Sequence, residues 1–288
     1  MGDIVDVYTR RKIKDALGRF LIALIGLVAL FPLFHIFFSI AYNGVKVIAA
    51  SGIVEFLTGI PNPTNPRSPG GIGPALLGSI VLAVVATAIA IPIALNAAIF
   101  VSEFRGSPAS RFTLLLSLLL VEFPTILVGL FVYAVVVEPL KGFSLLAGSI
   151  ALALVMLPYV VAQASEALRQ IPRDLREAAY SLGLSRLKTV YRLMLGMARR
   201  GILVGVLIGL AKALGETAPL LFTVYGAFNT YPQTILDPGA AIPLLIYIYA
   251  QQPGEGYREL AWGAAFILLV MVTSIVLVAK KLVQRVHL

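Results

Sequence analysis

The sequence predicts an all-α integral membrane protein with six membrane-crossing helices. Three observations carry that expectation. Of 288 residues, 59% are hydrophobic and only 13% are charged, with a mean hydropathy of +0.93. Six stretches run for about 20 residues or more almost free of charge, the length an α-helix needs to cross a bilayer. Finally, Lys and Arg concentrate in alternate loops. A soluble fold of this length could not cover so much apolar surface with polar groups, so lipid is the expected solvent.

Composition also excludes several chemistries. The chain has no cysteine, which removes disulfides and thiolate metal sites, and its two histidines, His35 and His287, are too few for an imidazole cage. No Gly-x-x-x-x-Gly-Lys-Ser/Thr loop is present, so ATP hydrolysis is not expected in this chain. The net charge of +9 is assigned to loops facing one side of a membrane, with no nucleic-acid partner expected.

Span one is expected from Phe20 to Tyr42. Its basic flank resembles that of a signal peptide, but the apolar stretch is too long and no clear cleavage site follows, so a retained helix is predicted. Asn43 to Gly71 then forms a loop whose Pro61-Asn62-Pro63-Thr64-Asn65-Pro66 and Gly70-Gly71 forbid one regular helix. Span two is placed at Ile72 to Val101, span three at Phe112 to Val137 with Glu122 inside, and span four at Ser144 to Ser165. Span five, Gly201 to Tyr225, carries Lys212 and Glu216; span six, Leu260 to Ala279, carries no charge. The resulting organisation is residues 1–43 as N-terminus and first helix, 44–71 as an outer loop, and 72–283 as a five-helix core, with span one peripheral.

With the N-terminus inside, the inner segments hold five, two, eight and three Lys/Arg, which is 18 of the 23 in the chain. The outer loops hold Lys46, Arg67, Lys141 and Arg258. Both termini are therefore expected in the cytoplasm of a multi-pass protein of the cell membrane.

The longest inner segment, Glu166 to Arg200, contains Pro172 and Gly183 at the spacing that opens and closes a short helix. Leu175, Ala178, Ala179 and Leu182 fall at i, i+3, i+4 and i+7, an apolar stripe that fits either an anionic lipid surface or a protein groove. In span five, Gly201, Gly205, Gly209, Lys212 and Glu216 lie at about 0°, 40°, 80°, 20° and 60° around a helix, one shared face. The glycines admit a neighbouring helix closely. Lys212 sits about 16 Å beyond Gly201, near the bilayer midplane, with Glu122 at similar depth. A charge there marks either a substrate path or a structural i, i+4 ion pair. Pro219 cannot donate to the Gly215 carbonyl, so a kink beside the charged pair is expected.

These residues also resemble a known family. Glu177-Ala178-Ala179, then Gly183, then Leu193-Met194-Leu195-Gly196 resembles the EAA loop of ABC importer permeases, with Gly196 where a proline is usual and where a turn remains possible. The run Lys212-Ala213-Leu214-Gly215-Glu216-Thr217-Ala218-Pro219-Leu220-Leu221 is similar to that of PstA-type permeases of phosphate importers, as are Glu55 to Gly59, Gly70 to Pro74, Phe123-Pro124 and Gly129 to Phe131. Lys212 stands where that family usually has arginine. The resemblance implies a type I ABC importer permease fold with a cytoplasmic coupling helix, and no enzymatic activity of the chain's own. It implies coupling through Glu177, Ala178, Ala179 and Gly183, and a substrate path along Lys212, Glu216, Thr217 and Glu122. It also implies a second homologous permease, two cytoplasmic ATPases that use the ATP, and an extracytoplasmic phosphate-binding protein, with no cofactor on this chain. A permease for molybdate or sulfate and an ATP-independent secondary transporter are the alternatives.

Overall fold

The structure is a computed structural model that describes residues 2–65 and 68–284, with side chains described for 14–65 and 68–283. The side chains of Arg10, Arg11 and Lys12, and the whole of Pro66, Arg67, Arg285 and His287, lie outside the described residues. Among the described residues there is no strand, only two isolated bridges, Pro61 to Gly70 and Tyr225 to Gly239.

The helices are α1 (Gly2–Ser51), α2 (Ile53–Thr58), α3 (Gly73–Glu103) and α4 (Pro108–Glu122). They continue with α5 (Thr125–Leu140), α6 (Leu145–Arg169), α7 (Arg173–Ser181) and α8 (Arg186–Leu214). The last three are α9 (Ala218–Leu221), α10 (Ile242–Tyr249) and α11 (Glu255–Gln284). Among the described residues, five helices are individually long and apolar enough to cross a membrane, and α4 with α5 makes a sixth if that bent pair is one span.

The bundle is organised around α6, which packs most extensively against α3 and α8. The contact with α3 is made by small residues: Ala86, Ala90, Ala94 and Ala98, four apart, are all fully buried. With no hydrophobic drive between helices in lipid, such a ladder lets two backbones approach and collect dispersion contacts. On α8 the glycines do the same work. A Cβ at Gly201 would strike Ala167, one at Gly205 would lie 2.7 Å from the Gln163 Cβ, and one at Gly209 2.7 Å from the Met156 Cγ. The glycine seam is thus packed within this chain, against α6.

Span one departs from its expected end. α1 continues to Ser51, and Gly52, at φ 81°, breaks it before α2. None of its most apolar stretch is buried. Its later part packs against the bundle, where the Gly44 hydrogen faces Phe266 and the Trp262 carbonyl of α11.

Span three is not one helix. α4 stops at Glu122, and α5 leaves at 104° to it. Phe123 is extended at ψ 129°, as the residue before a proline prefers, and Pro124 caps α5 without an N–H to offer.

Span five is also shorter than expected. α8 ends at Leu214, and Pro219 falls in the first turn of the new helix α9, where its missing N–H would be unpaired in any case. The expected kink is therefore a full break. No turn forms at Gly196, which lies inside α8 directly after a π-helical stretch, Thr189–Met194.

The region after the break folds back over the end of the bundle opposite α7. Leu145 N and Leu146 N donate to the carbonyls of Asp237 and Ile235 at 3.1 and 2.8 Å, and Ile242 N donates to Ser79 Oγ at 2.8 Å. The short apolar helix α10 then returns against α3 and α11.

Candidate functional site

Two constellations stand apart from the apolar packing. The first is at the end of α8. Gly215 N donates to the Lys212 carbonyl at 3.2 Å and Glu216 N to the Ala213 carbonyl at 3.1 Å, a tightened last turn that ends the helix. That turn keeps Glu216 beneath Lys212, and Lys212 Nζ meets Glu216 Oε1 at 2.5 Å. The two ends of the pair differ in environment. The Glu216 side chain is 8% exposed, while that of Lys212 is 44% exposed on the surface of this chain. Thr217 caps the next helix, its carbonyl accepting from Leu220 N at 3.1 Å and Leu221 N at 3.3 Å.

This break touches the other one. A Cβ on Gly129 of α5 would lie 2.6 Å from the Pro219 Cα, so only glycine lets α5 and α9 approach this closely. Glu122, at the end of α4, is exposed and forms no ion pair with Lys212 among the described residues. Of the residues expected on a path, Lys212, Glu216 and Thr217 are brought together, while Glu122 stands at the neighbouring bend.

The second constellation is α7. Its end is fixed by Gly183 at φ 77°, with Gly183 N donating to the Tyr180 carbonyl at 2.9 Å and Leu184 N to the Ala179 carbonyl at 3.1 Å. A Cβ there would meet nothing, so the requirement for glycine is backbone conformation alone. The predicted stripe divides. Ala179 is buried against the bundle, whereas Leu175 and Leu182, the latter 83% exposed, remain uncovered beside Ala178 and Glu177.

What holds α7 in place was not legible in the stripe. Glu103, in the last turn of α3, binds Arg176 Nη1 at 2.5 Å and Arg186 Nε at 3.6 Å. Arg176 also donates to the Leu168 carbonyl at 3.0 Å, and Arg186 stacks over Phe104 with its guanidinium carbon 4.6 Å from the ring centre. A carboxylate at a helix C-terminus opposes the macrodipole, and that misplacement was the available sequence signal that Glu103 had cationic partners.

Apolar helices with two breaks in contact, an ion pair at one of them, and a short helix tethered at one end with part of its apolar face free define a multi-pass membrane permease. Residues 90–288 match the family described as binding-protein-dependent transport system inner membrane component, and the chain belongs to that family. Within it, the chain is similar to PstA proteins. It is 43% identical over 267 residues to the probable phosphate transport system permease protein PstA of Methanocaldococcus jannaschii, covering 93% of this chain and 92% of the relative. It is 35% identical over 272 residues to the phosphate transport system permease protein PstA of Pasteurella multocida, covering 94% of each. Among solved structures, a chain of the MetNI methionine ABC transporter in an inward facing conformation superposes with a TM-score of 0.61 at 17% identity, covering 75% of this chain and 95% of that one. That last likeness shows the fold of a type I ABC importer permease.

Proposed function

We propose that this chain is the PstA-type permease subunit of an ATP-driven phosphate importer, lying in the cell membrane with both termini in the cytoplasm. The observation that carries the proposal is the Lys212–Glu216 pair at the break of α8. The phosphate transport permeases to which the chain is 35–43% identical support the choice of substrate.

Phosphate crossing a bilayer needs a compensating positive charge near the midplane, but not a well so deep that release stalls. Lys212 supplies the charge, and Glu216 neutralises it when the path is empty. An incoming phosphate then exchanges with the carboxylate as the partner of the ammonium, so the cation is never left bare. Lysine offers a point charge without the planar fork of arginine, which favours transient over bidentate binding. Thr217 lines the same break, and Glu122 adds negative charge at the facing bend that discourages anions from resting there.

In this reading α7 is the coupling helix. Glu177, Ala178 and Gly183 with the uncovered Leu182 seat in a groove of a cytoplasmic ATPase, two copies of which hydrolyse the ATP, while Ala179, expected beside them, is buried and holds the helix to its own bundle. A second homologous permease covers the exposed side of Lys212, and an extracytoplasmic binding protein delivers phosphate. This chain binds no cofactor of its own. Tetrahedral anions such as molybdate or sulfate make the same demands on Lys212, so selectivity is the point to measure.

The test is ATP-dependent uptake of labelled phosphate into vesicles holding the chain with its partners, with molybdate and sulfate as competitors. Phosphate-selective, ATP-dependent uptake is expected. Uptake without ATP would overturn the coupling, and stronger competition by molybdate or sulfate than by unlabelled phosphate would overturn the substrate.

A further inference from the structure

Behind α7, and separate from the α8 break, the structure holds an open cavity of about 720 Å³. Five arginines line it, Arg105, Arg169, Arg173, Arg176 and Arg186, against two acidic residues, Glu103 and Glu177. Glu103 is already engaged by Arg176 and Arg186. Arg105, Arg169 and Arg173 are paired with no carboxylate among the described residues; Arg105 Nε donates instead to the Ser102 carbonyl at 3.0 Å.

Two further facts mark the cavity as unbalanced. The Nε–H groups of Arg169 and Arg176 are buried and have no acceptor among the described residues, an arrangement that native structures generally avoid. Arg105 is held below its ordinary pKa, first by burial and then by repulsion from Arg176, Arg169 and Arg173. The first turn of α7, which has no side-chain cap at Pro172, opens on the same space.

The donors come from three separate segments: the loop after α3, the end of α6 and the start of α7. A carboxylate offers two oxygens in one plane and cannot serve three directions at once. A tetrahedral oxyanion carrying about two negative charges can, and guanidinium forks match its edges. We propose that this cavity is a binding site for a phosphate group, that of free inorganic phosphate or of an anionic lipid headgroup, held by Arg105, Arg169 and Arg173. Bound there, the anion ties the start of α7 to α6 and to the end of α3. None of its residues belongs to the α8 break, and it shares only α7, through Glu177, with the transport reading.

The test uses the assembled transporter in phosphate-free maltoside micelles, carrying Lys212→Ala so that the α8 break contributes no anion binding. Arginines are modified with phenylglyoxal and followed one by one by peptide mass spectrometry. The probes are inorganic phosphate and dioctanoyl phosphatidic acid, with chloride at matched ionic strength as control. At ten times the dissociation constant only about a tenth of sites stay open, so Arg105, Arg169 and Arg173 should react about tenfold more slowly while Arg111 and Arg258 are unchanged. Protection by inorganic phosphate identifies a soluble anion; protection by phosphatidic acid alone identifies a lipid. Arg169→Gln should release the protection of Arg105 and Arg173, and Arg173→Gln, at an exposed position, should release that of Arg105 and Arg169. Unchanged rates with both probes, protection matched by chloride, or protection that survives both substitutions would each overturn the proposal.

Discussion

The chain interrupts two of its apolar helices, and the two breaks are built differently. At Phe123–Pro124 a proline turns the helix by 104° and leaves Glu122 exposed, with no ion-pair partner among the described residues. At Gly215 the helix ends in a tightened turn that keeps Glu216 buried and paired with Lys212 at 2.5 Å. Both leave backbone groups to be satisfied, which in lipid is costly unless the site is covered by protein or lines a cavity. Only the second also holds a cation against a buried carboxylate. In the proposed function, that difference would separate a break that shapes the path from one that interacts with what passes through it.

The two breaks differ most at Lys212, and the largest effect is expected there. Lys212→Ala strands the Glu216 carboxylate, at a cost of about 3–5 kcal/mol once a partner subunit shields the pair from water. Adding Glu216→Gln should restore thermal stability to the assembled transporter without restoring uptake. Recovery of uptake in the double variant would make the pair structural.

Next in size is the contact that joins the breaks. Gly129→Leu forces α5 away from Pro219, and Gly205→Leu forces α8 away from Gln163; overpacking of this kind costs about 1–3 kcal/mol. A fall in melting temperature is expected for both, with the larger uptake defect in Gly129→Leu because it alone displaces the α9 end of the path. Gly183→Val, by contrast, meets no neighbour and acts only through its left-handed backbone, at about 1–2 kcal/mol. It should weaken stimulation of ATP hydrolysis while leaving insertion intact, as measured by ATPase assay of the purified complex. Glu122→Gln should be the mildest of the membrane substitutions, changing stability by no more than about 0.5 kcal/mol, with a few-fold change in uptake at most.

A last contrast lies in the turn before α10. Asp237 accepts from Thr234 N at 2.7 Å and Gln233 N at 2.8 Å, and those bonds hold its carboxyl below the usual range. A lowered folded pKa means that the stabilisation is present above the unfolded value of about 3.9 and is lost as pH falls through the folded one. Amide exchange at Thr234 and Gln233 should therefore stay protected to a pH below the ordinary carboxylate range. Asp237→Asn should remove that pH dependence and leave uptake near wild type.

The sequence disclosed the long helices because lipid imposes a length and a polarity on them. Leu260 to Ala279 lies within an observed helix, as does Ile72 to Val101 apart from Ile72, the residue that caps α3, and Ser144 is the side-chain cap of α6, accepting from Ala147 N at 3.1 Å. The breaks were harder to locate. Both Phe123–Pro124 and Leu214 to Ala218 fall inside stretches long and apolar enough to be read as single spans, and a proline in a membrane helix is compatible with a kink or with a complete stop. Helix α10 was missed because eight apolar residues are too few to span a bilayer. At the site, the i, i+4 spacing predicted the Lys212–Glu216 contact, and it survives even though Glu216 lies beyond the helix end. The Glu103 tether could not be read from spacing, since its partners Arg176 and Arg186 are 73 and 83 residues away along the chain.

That Lys212 carries phosphate through the α8 break is tested most directly by measuring phosphate uptake and ATP hydrolysis side by side in vesicles holding the Lys212→Ala transporter. Uptake should be lost while the complex stays assembled and its ATPase activity persists. Uptake at the wild-type rate in a correctly inserted Lys212→Ala transporter would contradict it.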